Sequence, residues 1–204
     1  MKEVIDNLAI ERELLSKGYR YICGVDEVGR GPLAGPVCTC AVIMDLEKII
    51  EGITDSKKVS EKKREKLFSE IKENAIDYAV AMLDNDQIDT LNILNATKKC
   101  MVHSIMALET KPDIVLVDAL KLDIPYEQKE LIKGDLYSYS IGAASILAKV
   151  TRDKLMVEYD KIFPEYDLKS NKGYGTKKHI EAIKQYGLTP IHRRTFTKKF
   201  VENN

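Results

Sequence analysis

Residues 22–44 read ICGVDEVGRGPLAGPVCTCAVIM. Two apolar runs, at 22–25 and 37–44, enclose a pair of adjacent acids and a segment rich in glycine and proline. Apolar runs of this length that are bounded by Gly and Pro are typical of buried β-strands. The stretch therefore predicts two buried strands joined by a shaped loop, with Asp26 and Glu27 just past the end of the first strand.

Apolar periodicity divides the rest of the chain into further helices and strands. The resulting pattern, with strands early and helices alternating later, predicts an α/β protein with a mixed sheet flanked by helices. In chain order we predict a helix at about 3–17, a strand that ends near Val25, a strand at Val37–Met44, a helix from Ser60 to about Lys72, a strand at 76–83, a long helix with Leu91, Leu94, Met101, Ile105 and Leu108 on its buried face, a strand within 113–119, a strand or loop at 132–141, and a helix from about Ala143 that ends before Pro164.

Length and composition are those of one globular domain. The chain has 204 residues, 44% of them hydrophobic, which is enough for one core. We expect a single domain at 1–204, with a helical extension at about 1–18 and a basic helical segment at about 165–204. The four cysteines form no Cys-x-x-Cys pair, which indicates free thiols. With no long apolar run and a charged N-terminus, we expect a cytoplasmic protein that does not bind membranes.

Positive charge is concentrated near the C-terminus, although the net charge of the chain is zero. The segment 168–200 holds nine Lys or Arg and one Glu, a net charge of +8 that leaves −8 on the remainder. A second basic cluster, at 57–66, alternates with Glu61 and Glu65 and is more typical of a solvated helix face. The C-terminal segment lacks such compensating acids, so it favours binding to a polyanion.

Four acids stand out because they follow predicted strands or precede the last long helix: Asp26, Glu27, Asp118 and Asp135. Any one of them alone is better explained as a capping or loop acid. Together they favour a site for divalent cations, since clustered carboxylates near a core need neutralisation. Oxygen ligands select Mg²⁺ or Mn²⁺ over zinc. Because neighbouring strand residues face opposite ways, we expect Gly29, Gly31 and Gly35 to turn the chain off its path there.

Several blocks resemble bacterial ribonuclease HII, the type 2 ribonucleases H, and they occur in the order of that family. They are GVDEVGRGPLAGPV, TDSKKVSEKKREKL, LNILNATKKCM, VLVDA, KGDLYSYSIGAASILAKVTRD, NKGYGTKKHIEAI and TPIHRRTF. The resemblance covers nearly the whole chain, which makes it far more specific than one motif. Gly142 and Thr195 stand where the family more often has alanine and serine.

The resemblance implies an RNase H-like fold, with a five-stranded mixed sheet and a helical C-terminal part. It implies an endonuclease that hydrolyses the RNA strand of RNA–DNA hybrids and nicks duplex DNA at embedded ribonucleotides, in ribonucleotide removal and RNA primer processing. Its metal-binding and catalytic acids fall on Asp26, Glu27, Asp118 and Asp135, and two metal ions would act there to leave a 5′-phosphate and a 3′-hydroxyl. Asp153 is a rival for the fourth place, which we reject because it lies in a charged helical turn beside Arg152 and Lys154.

The resemblance also implies a substrate-binding surface. Its reader of the ribose 2′-hydroxyl corresponds to Gly29, Arg30 and Gly31, and its sugar-contacting tyrosine to Tyr174. As phosphate contacts we add Lys57, Lys149 and Arg194, although lysines of this kind look like any surface lysine in a sequence.

Two other interpretations remain open. Ribonuclease HIII shares the core but has an N-terminal binding domain and a different fourth acid, whereas only 25 residues precede Asp26 here. A non-catalytic module that binds RNA–DNA hybrids is disfavoured, because a polyanion binder gains nothing from four acids. We expect a monomer without an obligate protein partner, and the terminal VENN (201–204) has no obvious clamp-binding peptide.

Overall fold

A computed structural model describes residues 6–201, and these form a mixed five-stranded sheet in the order β3-β2-β1-β4-β5. Strand β1 pairs antiparallel with β2 and parallel with β4, and the outer pairs are β2–β3 (antiparallel) and β4–β5 (parallel). This confirms the predicted fold class. The strands are β1 (Ile22–Val28), β2 (Val37–Met44), β3 (Ala75–Leu83), β4 (Ile114–Asp118) and β5 (Glu127–Leu131).

Helices cover both faces of the sheet. Helices α2 and α6 pack on the face that carries alternate residues of β2, such as Cys40 and Val42, and α4 packs on the opposite face against Ala41 and Ile43. Burial on both faces explains why the central strands are apolar throughout. The helices are α1 (Ala9–Ser16), α2 (Glu61–Asn74), α3 (Asn85–Leu91), α4 (Ile93–Met106), α5 (Gly134–Tyr137), α6 (Tyr139–Ile162), α7 (Leu168–Asn171), α8 (Lys177–Tyr186) and α9 (Arg194–Val201), with 3-10 turns at Ser56–Lys58 and Pro164–Tyr166.

Helix α6 touches β1 backbone to backbone at Gly24. A Cβ atom on Gly24 would lie 2.1 Å from the carbonyl carbon of Ser140, so no larger residue fits there. The strand rises about 3.3 Å per residue and the helix about 1.5 Å. Two residues along β1, at Asp26, the neighbouring helix position is therefore near Ser145. The contact at Gly24 thus sets which part of α6 faces the first candidate acid.

Three predicted elements differ from the structure. Strand β1 does not end near Val25 but continues through both acids to Val28, because β2 pairs with it as far as Cys38. The strand or loop predicted at 132–141 is wrong, since α5 and the start of α6 occupy it. The last strand of the sheet is instead β5, whose sequence EQKEL is too polar to be recognised as a strand.

The other boundaries agree more closely. The long helix is interrupted at Asn92, which has φ 64° and caps α4 through its side chain. The N-terminal helix begins at Ala9, and residues 3–5 of the predicted helix lie outside the described part. All four cysteines are free and buried, as predicted. None of the helices within residues 6–201 combines the length and apolarity that a bilayer span requires.

Candidate active site

The predicted acids meet where the pairing between the parallel strands β1 and β4 ends. Their pairing stops at Val25–Val117, so Asp26 and Asp118 follow at neighbouring positions of one sheet edge. The Asp118 Oδ1 atom accepts a hydrogen bond from the Gly134 amide at 2.7 Å, which brings the first turn of α5 to this edge. Asp135 lies in that turn. Three separate elements therefore place carboxylates at a single edge.

The acids lie so near one another that burial and their negative charges together raise the pKa values of Asp26, Glu27 and Asp135. The pKa of the Asp26 carboxyl is raised well above its usual value by burial and by the charges of Glu27 and Asp118, and the Ser145 hydroxyl opposes this shift. Burial is also the main cause that raises the pKa of Glu27, with Asp118 adding to it. The pKa of Asp135 is raised by burial, then by Asp55 and Asp118. We call Asp26, Glu27, Asp55, Asp118 and Asp135 the acidic cluster.

Asp55 is a member of the acidic cluster that sequence reasoning missed. It precedes the 3-10 turn Ser56–Lys58, and its Oδ1 atom accepts the Lys57 amide at 2.9 Å. The Lys57 ammonium faces the same cluster. Partial burial acts to lower its pKa, but the negative charges of Asp55, Asp26 and Asp135 raise it. The signal in the sequence was the TDSKK block, which reads as an ordinary capping acid before basic residues.

The acidic cluster suits a divalent cation in its chemistry. All donors are oxygens, the preference of Mg²⁺ and Mn²⁺. The Glu27 Oε2 atom is buried and has no hydrogen-bond partner, a costly state that a cation would relieve. Among residues 6–201 no three Asp, Glu, His or Cys side chains are already arranged to hold an ion. Binding would therefore require these side chains to move toward the cation.

A loop at 29–36, which we call the glycine loop, leaves the end of β1. Gly29 and Gly35 have φ of 92° and 83°, the left-handed conformation that favours glycine. A Cβ on Gly29 would also lie 2.3 Å from the Arg152 Nε atom. Gly31 lies in a bend of the same loop but has no positive φ, and an added Cβ there would meet only the Tyr174 ring, at 3.6 Å. Glycine at 31 therefore leaves open space beside that ring.

Two buried arginines hold the glycine loop by its carbonyl groups. Arg193 is fully buried and donates to the carbonyl oxygens of Gly29 at 2.6 Å, Arg30 at 2.9 Å and Gly35 at 3.0 Å. Burial, followed by repulsion from Arg152, lowers the pKa of Arg193 to about 9. Sequence reasoning had counted Arg193 as part of the exposed basic segment, which is wrong.

Arg152 acts in the same way from α6. It is fully buried and donates to Pro36 O at 2.9 Å, to Lys172 O at 2.9 Å and to Ala34 O at 3.1 Å. This ties the glycine loop to the segment that carries Tyr174. Arg152 belongs to the block VTRD and Arg193 to the block HRRT, but nothing in either sequence indicates that the side chain is buried.

A cleft of about 290 Å³ lies between the glycine loop and α6, beside the acidic cluster. Arg30 donates to Glu27 Oε1 at 3.3 Å on its rim. Lys149 also reaches the cleft, but its ammonium is paired with Asp153 at 2.8 Å. Asp153 is thus paired with Lys149 one turn away, and not with Arg152 or Lys154, the neighbours that the sequence favoured. The cleft is lined by Glu27, Val28, Gly29, Arg30, Gly31, Ser56, Lys57, Ser145, Lys149 and Tyr174.

The structure brings most of the predicted site residues together. The four acids, Gly29–Gly31, Tyr174, Lys57 and Lys149 all lie at the acidic cluster or the cleft. Arg194 does not line the cleft; it is exposed at the start of α9, where its amide donates to Asp89 at 2.7 Å.

Comparisons with a family model, with curated proteins and with solved structures agree on one family. A family model for ribonuclease HII matches residues 23–199. A curated ribonuclease HII of Ruminiclostridium cellulolyticum is 55% identical over 99% of this chain and 80% of its own length. The solved ribonuclease H2 of Pyrococcus horikoshii superposes with a TM-score of 0.76 at 31% identity, over 90% of this chain and 98% of that one.

A second solved structure, the PCNA:RNase HII complex of Archaeoglobus fulgidus, superposes with a TM-score of 0.73 at 25% identity. It covers 85% of this chain and 94% of that one. The family model spans the acidic cluster, the glycine loop and both buried arginines. On these matches the chain belongs to the ribonuclease HII family and is a metal-dependent endoribonuclease, a ribonuclease H of type 2.

Proposed function

We propose that this protein hydrolyses the RNA strand of RNA–DNA hybrids and nicks duplex DNA on the 5′ side of embedded ribonucleotides, leaving a 5′-phosphate and a 3′-hydroxyl. Its role would be ribonucleotide removal and RNA primer processing in the cytoplasm. The observation that carries the proposal is the acidic cluster beside a cleft whose wall is the glycine loop. Cutting and sugar recognition can then act on adjacent atoms of one nucleotide.

Asp26, Glu27, Asp118 and Asp135 would hold two ions of Mg²⁺ or Mn²⁺. Such ions, when bound, activate water and stabilise the leaving oxygen of a phosphodiester. The chain prepares this binding by keeping carboxylates close together and partly desolvated, so that their mutual repulsion favours a cation. The Gly134 amide fixes Asp118 through a hydrogen bond, and the Glu27 amide does the same for Asp26 at 2.7 Å.

The glycine loop would read the 2′-hydroxyl through main-chain groups of Gly29, Arg30 and Gly31. Support comes from the open space at Gly31, where no conformational need for glycine exists. The Tyr174 ring borders that space and is 42% exposed, so it can pack against the neighbouring sugar. Lys57 and Lys149 are proposed phosphate contacts within the cleft, and Arg194 is one outside it.

The decisive experiment supplies three duplexes: DNA with one ribonucleotide, an RNA–DNA hybrid and all-DNA. Each is incubated with Mg²⁺, with Mn²⁺ and with a chelator. We expect cleavage of the first two only, dependent on metal, with an Asp118→Asn variant inactive but folded. Absence of a nick at the single ribonucleotide would contradict the proposed activity, and an unaffected Asp118→Asn variant would contradict the proposed site.

A non-catalytic hybrid-binding module, the alternative that the sequence left open, does not agree with this family. The raised pKa values of Asp26 and Glu27 argue against it, because a site that binds only a polyanion has no use for crowded, desolvated carboxylates. The chelator arm of the same experiment separates the two, since binding without cleavage would survive metal removal.

A further inference from the structure

Two histidines form a buried pair below the cleft. His179, in the first turn of α8, and His192, in the turn before α9, are 0% and 1% exposed. Their Nε2 atoms lie 3.0 Å apart, so one ring must donate to the other. Nothing in the proposed chemistry uses either ring.

The hydrogen bonds around the pair fix both tautomers. The Thr189 amide donates to His192 Nδ1 at 2.9 Å, which requires that nitrogen to be unprotonated. The proton of neutral His192 must then be on Nε2, from which it is donated to His179 Nε2. His179 in turn carries its proton on Nδ1 and donates it to the Tyr174 carbonyl oxygen at 2.9 Å. One directed chain of hydrogen bonds therefore runs from Thr189 to Tyr174.

We propose that His179 and His192 are positioning residues, a neutral couple that fixes the main chain of Tyr174 and so keeps its ring beside Gly31. The inference rests on the proposed contact of Tyr174 with the substrate. The backbone around Tyr174 needs such support, since Lys172 and Gly173 directly before it both have positive φ, 53° and 85°. His192 also pairs its backbone with Ala34 of the glycine loop, so the couple connects the two sides of the cleft wall.

The couple works only in its neutral form. All four ring nitrogens are engaged, so a proton added to either ring must break one of the bonds of the chain. Burial lowers the pKa of both rings. The groups that face them are the Tyr166 ring, at 6.1 Å from His179 and 5.1 Å from His192, the backbone near Tyr174, and Thr189. Arg193 follows in the chain, but its guanidinium points to the glycine loop.

A matched pair of substitutions at His179 separates the two bonds of that ring. In His179→Asn the amide nitrogen takes the place of Nδ1 and keeps the bond to the Tyr174 carbonyl oxygen. In His179→Gln the amide oxygen takes the place of Nε2 as the acceptor for His192, and the bond to Tyr174 is lost. We expect His179→Gln to lower kcat/KM on a duplex with one ribonucleotide roughly tenfold, the effect of one buried hydrogen bond. We expect His179→Asn to stay within about threefold of the wild type. Equal losses in both variants would mean a merely structural role and overturn the proposal.

A double-mutant cycle with Tyr174→Ala links the effect to the ring. In the Tyr174→Ala background, His179→Gln should cause no further loss, and an additive loss would contradict the inference. If Tyr174→Ala alone leaves kcat/KM unchanged, both the proposed substrate contact of Tyr174 and the inference are wrong. If Tyr174→Ala lowers kcat/KM but His179→Gln does not, only the inference is refuted.

The tautomers give a readout independent of activity. In ¹⁵N NMR spectra of the wild type at pH 6 we expect His179 protonated on Nδ1, His192 protonated on Nε2, and both rings neutral. The exposed His103 on α4 supplies the reference signals. A cationic ring at pH 6, or the opposite pair of tautomers, would refute the couple.

Discussion

Replacing Arg193 by methionine should destabilise the protein. In the described part of the chain the Arg193 guanidinium forms no ion pair with an acid, and its hydrogen bonds go to carbonyl oxygens. The substitution removes the Arg193 donor from three carbonyl oxygens of the glycine loop, two of which, on Gly29 and Gly35, belong to buried residues. Each such loss costs about 1 to 3 kcal/mol. Removing the cation also relieves its own burial cost, which is visible in the lowered pKa of Arg193. We therefore expect a net loss near the lower end of the sum, about 3 kcal/mol, or roughly 6–12 °C in Tm for a chain of this size.

Arg194 offers the matched control, because the neighbouring residue carries the same side chain on the surface. Urea unfolding should show Arg193→Met about 3 kcal/mol below the wild type and Arg194→Met within about 0.5 kcal/mol of it. Arg194→Met should instead weaken hybrid binding and reduce its salt slope by about one, as the loss of one phosphate contact does. If the two variants unfold alike, the carbonyl-holding role of Arg193 is refuted.

Three further perturbations test other parts of the site. Asp26→Asn should raise the denaturant midpoint of the metal-free protein at pH 8. The pKa of Asp26 is raised in the folded state, so ionisation of this carboxyl destabilises the wild-type protein as the pH rises, and the variant avoids that loss. Mg²⁺ at about 100 times its Kd should stabilise the wild type by about 2.7 kcal/mol and the variant by much less. Gly29→Ala should lower the free energy of unfolding by about 1–3 kcal/mol, because alanine is strained at a positive φ and its Cβ would clash with Arg152. Gly31→Ala should unfold like the wild type but lose cleavage, because its methyl group enters the cleft. A Gly29→Ala variant as stable as the wild type would contradict this assignment. The pKa of His192 is lowered to about 4 in the folded protein, so the unfolded protein binds more protons between pH 6.5 and pH 4. Acidification across that range should lower the free energy of unfolding of the wild type by about 3 kcal/mol more than that of His192→Asn. Equal pH dependence of the two proteins would contradict a neutral, buried His192.

The sequence predicted the acidic edge well because its signal is local. Asp26 and Asp118 each follow a short apolar run, and buried strands of this kind are recognisable without knowledge of the rest of the chain. Asp135 was selected by its position before the last long helix and by the family resemblance, but its approach to Asp118 depends on a hydrogen bond between Gly134 and Asp118, which no local pattern indicates. Strand β5 was missed for a related reason. Its polar residues form a strand only because β4 offers a free edge beside it.

Arg152 and Arg193 were beyond sequence reasoning because their burial depends on carbonyl groups far away in the chain. Gly29 O and Arg193 are separated by 164 residues, and no pattern in either segment reports the other. A lysine or arginine without a nearby acid reads as exposed by default. The two histidines illustrate the same limit, since a neutral pair held by main-chain groups has no characteristic spacing in the sequence.

The contacts of the C-terminal segment change how its charge must be tested. Leu33 donates to Gly173 O at 2.8 Å and Gly35 to Ile191 O at 2.9 Å, so this segment forms part of the cleft wall. A truncation after Gly187 would remove Arg193 together with the exposed cations, and a loss of binding could not then be attributed to charge. Replacing the exposed Lys198 and Lys199 by glutamine leaves Arg193 in place. If that double variant keeps both its stability and the wild-type salt slope, these two charges do not contact the polyanion, whereas a slope lowered by about two assigns both of them to phosphates.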